Sequence, residues 1–391
     1  SAASDVYKRQ FDLEAAYMKM RMRNMLIVSG LCVCMCGCGN KVTETKNEST
    51  QAAEDVAQTT EKSKQMKTED YFPETYSEQT EKVKFECHLE VPEDFEISDF
   101  HMPIIKGITY TDPEKIYAKY VGENIVTEEY HNDPTSENEK GDDIYILEDG
   151  TNVAFTGGFL YYNPKSTVYR QVVRDNERTA PKDEFGFASG DECVEQVREE
   201  LKAIGCPVDE YQFGWFSTSG EDYAILEQRA LEDGMLDSQK VKTEGWTEKD
   251  NAYEIYGWQS YEGLQVLPQW MTTAMSRAFE DYQKAPVSAL YTEQGILALA
   301  LSRPPYIFEA SDELLEFLPF SEIADVLIQK YDNLLDEAIY TVTRAKIVLR
   351  TYYDEQQQLA AEPVWYFEVT DGNTAEVMLV HAVTGEEIFL N

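Results

Sequence analysis

A chain of 391 residues is long enough for two or three ordinary domains. With 42% hydrophobic and 12% aromatic residues it can bury a core, which excludes wholesale disorder. A formal net charge of −39 and a pI near 4.3 argue against nucleic-acid binding, because such a polyanion repels phosphate backbones. The same charge repels an anionic lipid surface, so any membrane attachment has to be covalent or apolar.

The opening SAASDVYKRQ reads as the in-frame translation of a sequencing adapter, and FDLEAAY as read-through ahead of a start at Met18. Residues 1–17 are therefore set aside as artefact. Residues 18–37 read as a signal peptide. Lys19, Arg21 and Arg23 make a short basic n-region, and Met25 to Met35 is an apolar run of h-region length. A spanning helix needs roughly 20 apolar residues, so this run is too short, and later apolar stretches such as GILALALS (295–302) are strand-length.

The run MLIVSGLCVCMCGCGN (25–40) places Cys32, Cys34, Cys36 and Cys38 at alternate positions. Zinc and iron–sulfur sites favour C-x-x-C, which lets both sulfurs turn toward one ion, and no histidine is near. A disulfide knot needs bent, loop-rich backbone that an h-region lacks. A bacterial lipobox ends in a small residue before the lipidated cysteine, and only Cys38 has one, Gly37. MCGC resembles that motif, with Met35 where leucine is commoner. The expectation is a mature protein starting at lipidated Cys38, held at the outer face of a Gram-positive-type cell membrane by acyl chains worth about 0.8 kcal/mol per buried CH₂.

Residues 38–83 are polar and nearly free of large apolar side chains, the composition of a disordered tether. Cys87, Cys193 and Cys206 remain. Cys193 and Cys206 flank a predicted helix at roughly 19 Å, beyond disulfide reach, so at most one bridge through Cys87 is possible and none is expected.

Beyond the tether two α+β domains are expected, 84–240 and 241–391. KFECHLEV and MPIIKGITYTD read as strands, and DPEKIYAKYV as a short helix capped by Asp112 with Pro113 at its first position. NDPTSENEKGDD (132–143) is an acidic loop without EF-hand spacing, so calcium there has no support. DIYILEDGTNVAFTGGFLYYN reads as two strands about an Asp149-Gly150 turn. SGDECVEQVREELKAIGCP reads as a helix with a Ser189/Glu192 capping box, apolar Val194, Val197, Leu201 and Ile204, a Gly205 stop and Pro207 beyond. YQFGWFS is the next strand, and YEIYGWQSYEGLQVLP a hairpin crossing between the halves.

The second half repeats the order. PVSALYTEQGILALALS gives two strands about Gln294-Gly295, and a helix from Ser321 carries Ile323, Val326, Leu327, Tyr331 and Leu334 on one face. AKIVLRTYY, EPVWYFEV and EVMLVHAVTGEEIFL complete a sheet, the last two joined at Asp371-Gly372. The expected architecture is α+β, two antiparallel sheets each with a helix packed on one face.

With these elements in place, residues 143–391 resemble the extracytoplasmic module of the YycH/YycI family, accessory regulators of a cell-wall sensor kinase that are related in fold to PepSY-type domains. The resemblance rests on FTGGFLYY followed by SGDECVEQVREELKAIG, on the crossing hairpin, on EPVWYFEV and on VHAVTGEEI, where His381 stands in place of a commoner small acid or amide. It is also similar to clostridial lipoproteins built on a domain of unknown function. The family implies an extracellular regulatory role. Its members engage the kinase through a spanning helix, which a lipid anchor would replace, so only contact with a partner ectodomain carries over.

Chemistry is hard to find. His88, His101, His131 and His381 form no H-E-x-x-H or comparable metal pair. No G-x-S-x-G elbow, P-loop or G-x-G-x-x-G occurs; TSGE and ASGD place serine at a loop and at a helix cap. Adjacent acids such as Asp142-Asp143, Asp336-Glu337 and Glu386-Glu387 are expected by chance among 73 acidic residues. No catalytic residue, metal ligand or cofactor is expected. Trp215, Tyr253, Tyr256, Trp258, Tyr261, Trp365 and Tyr366 fall in strands that should be neighbours, where alternation sends about half inward. An outward-facing set of Trp215, Tyr256, Trp258, Tyr261 and Trp365 would offer a partner or ligand surface. The sequence thus points to a lipid-anchored, non-enzymatic regulatory or interaction module that modulates a membrane sensor, with a glycan- or peptide-binding lipoprotein as the alternative.

Overall fold

The computed structural model describes residues 68–132, 142–155, 158–172, 183–272 and 281–389. The segments expected to be artefact (1–17) and signal peptide (18–37), Cys38, and the expected tether as far as residue 67 lie outside the described residues. In chain order the strands are β1 (Thr75–Tyr76), β2 (Val83–Phe85), β3 (Cys87–Glu90), β4 (His101–Ile108), β5 (Val126–Asn132), β6 (Asp142–Leu147), β7 (Asn152–Phe155), β8 (Phe159–Tyr162) and β9 (Tyr211–Thr218). They continue with β10 (Ala252–Tyr261), β11 (Leu264–Leu267), β12 (Val287–Thr292), β13 (Gly295–Leu301), β14 (Tyr306–Leu314), β15 (Tyr340–Tyr353), β16 (Leu359–Thr370), β17 (Ala375–His381) and β18 (Glu387–Ile388). The helices that position side chains for the argument are α1 (Pro113–Ile116), α2 (Ser166–Val172), α3 (Gly190–Ala203), α4 (Gly220–Glu232) and α5 (Phe320–Asp332).

The fold is α+β and its sheet mostly antiparallel, but the strands are not split into two sheets. A 16-stranded sheet runs continuously, and β4 and β14 form a separate two-stranded ribbon. The join is the hairpin of β10 and β11, whose turn at Glu262 and Gly263 has positive φ at both residues, the geometry that matches strand twist. β10 pairs antiparallel with β9 and β12, while β11 pairs parallel with β15. The 14 residues of β15 act as a hub. One edge pairs with β16 along its length, and the other is tiled in parallel by β2, β3 and β11.

Two of the expected boundaries move. The tether was expected to run to residue 83, yet Phe72 is buried and Tyr76 lies edge-on to Phe85 and Phe320, each at 5.0 Å. No domain boundary falls at 240/241 either. One core combines Phe72, Phe85, Phe95 and Phe100 from the start of the described chain with Phe320, Trp365 and Phe367 from its end. A second joins α3 to residues on both sides of 240: Val197 and Leu201 pack with Tyr253, Ile255, Leu299 and Leu301. Sequence neighbours are thus divided between cores, because β2 and β3 add to β15 some 250 residues away.

Burial also differs from one helix per sheet. α3 covers one face of β6–β10, β12 and β13, and α2 and α4 pack on β8, β10, β12 and β13 from the other side through Tyr169, Val172, Tyr223 and Ala230. Strands buried on both faces read as continuous apolar runs, which is why GILALAL and PVWYFEV alternate poorly. α4 was expected to be loop. Ser219 caps it: its Oγ accepts from the Asp222 amide at 3.1 Å, and the Asp222 carboxylate accepts from the Ser219 N–H at 3.2 Å. α3 and its Ser189/Glu192 capping box form as expected, and so does α1, capped by Asp112. α5 buries Ile323, Leu327 and Tyr331, but ends before Leu334, which is exposed. DIYILEDGTNVAFTGGFLYYN forms three strands, β6, β7 and β8, rather than two.

His381 closes the turn that follows β17. Its Nδ1 accepts the N–H groups of Val383 and Thr384 at 3.1 Å each, the bonds that an aspartate or asparagine side chain accepts in an Asx turn. Such a ring must be neutral at Nδ1. Burial pushes its pKa below the ordinary value, with Arg350 acting the same way and Glu362 and Glu386 opposing. The unfolded chain therefore takes up the proton first. The stability that neutral His381 contributes is full above about pH 6.5 and is lost as pH falls through the folded value. His381→Asn keeps an acceptor without the titration, so the denaturation midpoint of the native chain should fall more than that of the variant between pH 8 and pH 5. Equal falls would refute the assignment.

Candidate functional site

The five aromatic residues proposed as one surface are not brought together. Trp365 is fully buried in the aromatic core beneath α5, while Trp258 is buried on the opposite sheet face with Val348, Val364 and Tyr366. Trp215 packs in the α3 core and its Nε1 donates to Asp191 at 2.7 Å. Tyr256 is half-buried against Tyr282, with ring centroids 6.3 Å apart. Tyr261 is half-buried between Phe100 at 5.8 Å and Phe308 at 5.1 Å. Alternation does separate inward from outward, but the outward faces are themselves covered, so these rings are core.

The other candidates are also accounted for locally. Cys87, Cys193 and Cys206 are free thiols, and burial pushes their pKa up to about 11, 12 and 12. They are protonated at neutral pH and poor nucleophiles. His131 holds Glu129 and Asp143, both at 2.6 Å from its two ring nitrogens, and these hydrogen bonds raise its pKa. Asp336 accepts the Tyr340 hydroxyl at 2.8 Å, and Glu387 pairs with Lys330 at 2.6 Å. Among the described residues no group of three or more His, Cys, Asp or Glu side chains is placed to hold a metal ion. No described helix is long and apolar enough to cross a membrane. Most of the acidic loop, residues 133–141, lies outside the described residues.

Two features that the sequence did not single out stand apart. The first is a cleft of about 440 Å³ beside α3, in the size range of small-ligand pockets. Tyr120, Tyr161 and Tyr291 line it together with Leu147 and Ile296, and exposed Lys119, Asn124, Asp149 and Gln196 border it. Glu200 on α3 is the organising group: its Oε2 accepts the Tyr120 hydroxyl at 2.6 Å and lies 3.0 Å from Lys119 Nζ. Burial, reinforced by that bond to Glu200, raises the Tyr120 pKa, so the phenol stays protonated. Lys119 and Tyr120 sit on a π-helical turn, Tyr117–Val121, which continues α1 and closes with the Gly122 N–H donating to the Tyr117 carbonyl at 2.7 Å. Gly122 has φ +44°, a left-handed backbone that favours glycine.

The second is the β4–β14 ribbon. Met102, Ile105, Tyr306 and Phe308 pack onto the aromatic core, whereas Ile104, Ile307 and Leu314 face solvent at 40%, 44% and 50% exposure. Neither strand pairs with a third among the described residues, although the Gln259 side chain holds the β14 edge at Tyr306, its Oε1 accepting the Tyr306 N–H at 2.9 Å and its Nε2 donating to the Tyr306 carbonyl at 2.6 Å. A Lys106–Glu309 ion pair at 2.9 Å crosses the exposed face.

No protein family and no curated protein matches the chain. Solved structures do. An uncharacterised protein from Eubacterium rectale is 14% identical, with a TM-score of 0.51 over 80% of this chain and 92% of its own. That likeness shows a shared fold and nothing of function. The C-terminal domain of YpeB from Bacillus megaterium covers 71% of this chain and 94% of its own, but at 7% identity and a TM-score of 0.29 it carries no argument.

Proposed function

We propose that this chain is a non-catalytic, lipid-anchored regulatory module on the outer face of a cell membrane, which engages the ectodomain of a membrane sensor. The observation that carries this reading is the β4–β14 ribbon, with three apolar side chains in solvent and no third strand paired to it among the described residues. Open edges recruit an incoming strand through main-chain hydrogen bonds, and flanking apolar side chains give that contact its grip. In this reading the α3-covered and α5-covered parts of the sheet correspond to two YycI/PepSY-like repeats, and Cys38 supplies the anchor.

A photo-crosslinking residue at position 307, in native membranes, should capture a sensor ectodomain identifiable by mass spectrometry. With the crosslinker kept at 307, Ile104→Asp with Leu314→Asp should abolish capture while leaving the melting temperature unchanged. Recovery of nothing but further copies of the chain would overturn the proposal. Separately, Cys38→Ala is expected to move the protein from the membrane fraction to the medium, and undiminished retention would sink the lipid anchor.

A second reading, a ligand-binding lipoprotein for a glycan or peptide, is favoured by the Tyr120 cleft rather than by the strand aromatics.

A further inference from the structure

The cleft beside α3 combines aromatic rings with one matched ion pair and the further carboxylate of Asp149. Lys119 and Glu200 form an ion pair at 3.0 Å, and Glu200 also accepts the Tyr120 hydroxyl. The two oxygens of Asp149 accept the amide and the hydroxyl of Thr151 at 2.9 and 3.0 Å. An anionic ligand would meet the carboxylate of Asp149, whose partners are the neutral amide and hydroxyl of Thr151, while Lys119 is already engaged by Glu200. A cationic one would meet Lys119, or have to displace it from Glu200. Ligand groups that both donate and accept fit best, because the Asn124 and Gln196 amides also do both and the carboxylates retain free lone pairs. The rings of Tyr161 and Tyr291 supply flat apolar faces among these groups.

The backbone points the same way. The π-helical turn that presents Lys119 and Tyr120 is a rare conformation, recurrent at functional sites. Here it brings Tyr120 within 5.2 Å of the Tyr161 ring and 5.0 Å of Phe159, fixing one wall of the cleft. We infer that this cleft binds a neutral saccharide of one or two rings, with C–H faces on tyrosine and hydroxyls on Glu200, Asp149, Asn124 and Gln196. The inference rests on the ligand-binding reading and names its ligand class.

The test is calorimetric titration of the full chain with cellobiose and N,N′-diacetylchitobiose, beside glucosamine, galacturonate and glycylglycine. Saturable binding of a neutral disaccharide is expected, weakened about tenfold or more by Tyr161→Ala. The exposed Gln196→Ala should weaken it too without lowering the melting temperature, so that loss of binding is separated from loss of fold. Failure of both neutral disaccharides to bind, or binding that survives both substitutions, overturns the inference. Binding of glucosamine, galacturonate or glycylglycine alone overturns the saccharide class and leaves the ligand-binding reading standing; silence from all five probes removes both.

Discussion

Trp365→Ala is expected to lower the unfolding free energy by about 3–5 kcal/mol. The indole is fully buried, 5.1 Å from Phe72, 4.7 Å from Phe320 and 6.2 Å from Phe367, so truncation opens a cavity in the centre of the aromatic core. Trp365→Phe should cost much less. The Nε1 of Trp365 has no hydrogen-bond partner among the described residues, and an unsatisfied buried donor carries a penalty of about 1–3 kcal/mol that phenylalanine removes. That relief offsets part of the smaller cavity the phenyl ring leaves. Urea denaturation of both variants is the measurement, and equal losses would mean that the indole N–H is satisfied after all. Phe72→Ala should couple to Trp365→Ala by about 0.5–1.5 kcal/mol in a double-mutant cycle, which would place residue 72 in the folded unit in solution.

The second large effect lies at Arg350 and Glu362. Arg350 Nη1 donates to Glu362 Oε1 at 2.7 Å, with the two side chains only 17% and 13% exposed, and the guanidinium stacks over Tyr352 at 4.8 Å. Glu362→Gln leaves that charge uncompensated in a poorly solvated place and is expected to cost about 3 kcal/mol. Replacing both, as Arg350→Met with Glu362→Leu, should recover most of the loss, since the desolvation penalty of the pair disappears along with the attraction. A single substitution no worse than the double one would show that the pair is well solvated. Glu362 Oε2 is also 3.8 Å from His381 Nε2, so Glu362→Gln should lower the His381 pKa further by removing an opposing carboxylate.

Local signals were read well where local physics decides the outcome. The Ser189/Glu192 capping box, the Asp112 cap and the hairpin within YEIYGWQSYEGLQVLP each depend on residues close together in the chain. α4 carried a comparable signal in Ser219 and Asp222, with Tyr223, Leu226 and Ala230 at helical spacing behind it. Aspartate at the third position, in place of the usual glutamate or glutamine, hid it. The cleft was illegible for another reason. Its side chains come mainly from the π-helical turn, the β6–β7 turn, β8, α3 and the β12–β13 hairpin, whose sequence signals are caps and turns rather than ligand-binding motifs.

The same division runs through the whole chain. Composition, capping and apolar periodicity by themselves determined that residues beyond the tether fold as α+β, where most helices begin, and that hairpins join neighbouring strands. Only the tertiary structure decided that Phe72 and Phe85 pack with Trp365 and Phe367, that the sheet is continuous through β10 and β11, and that rings on both faces of β16 are buried. Periodicity records the angle between successive side chains, which is a property of a few residues. Which layer lies opposite each face depends on closing loops of more than 200 residues, and no short stretch of chain encodes that partner.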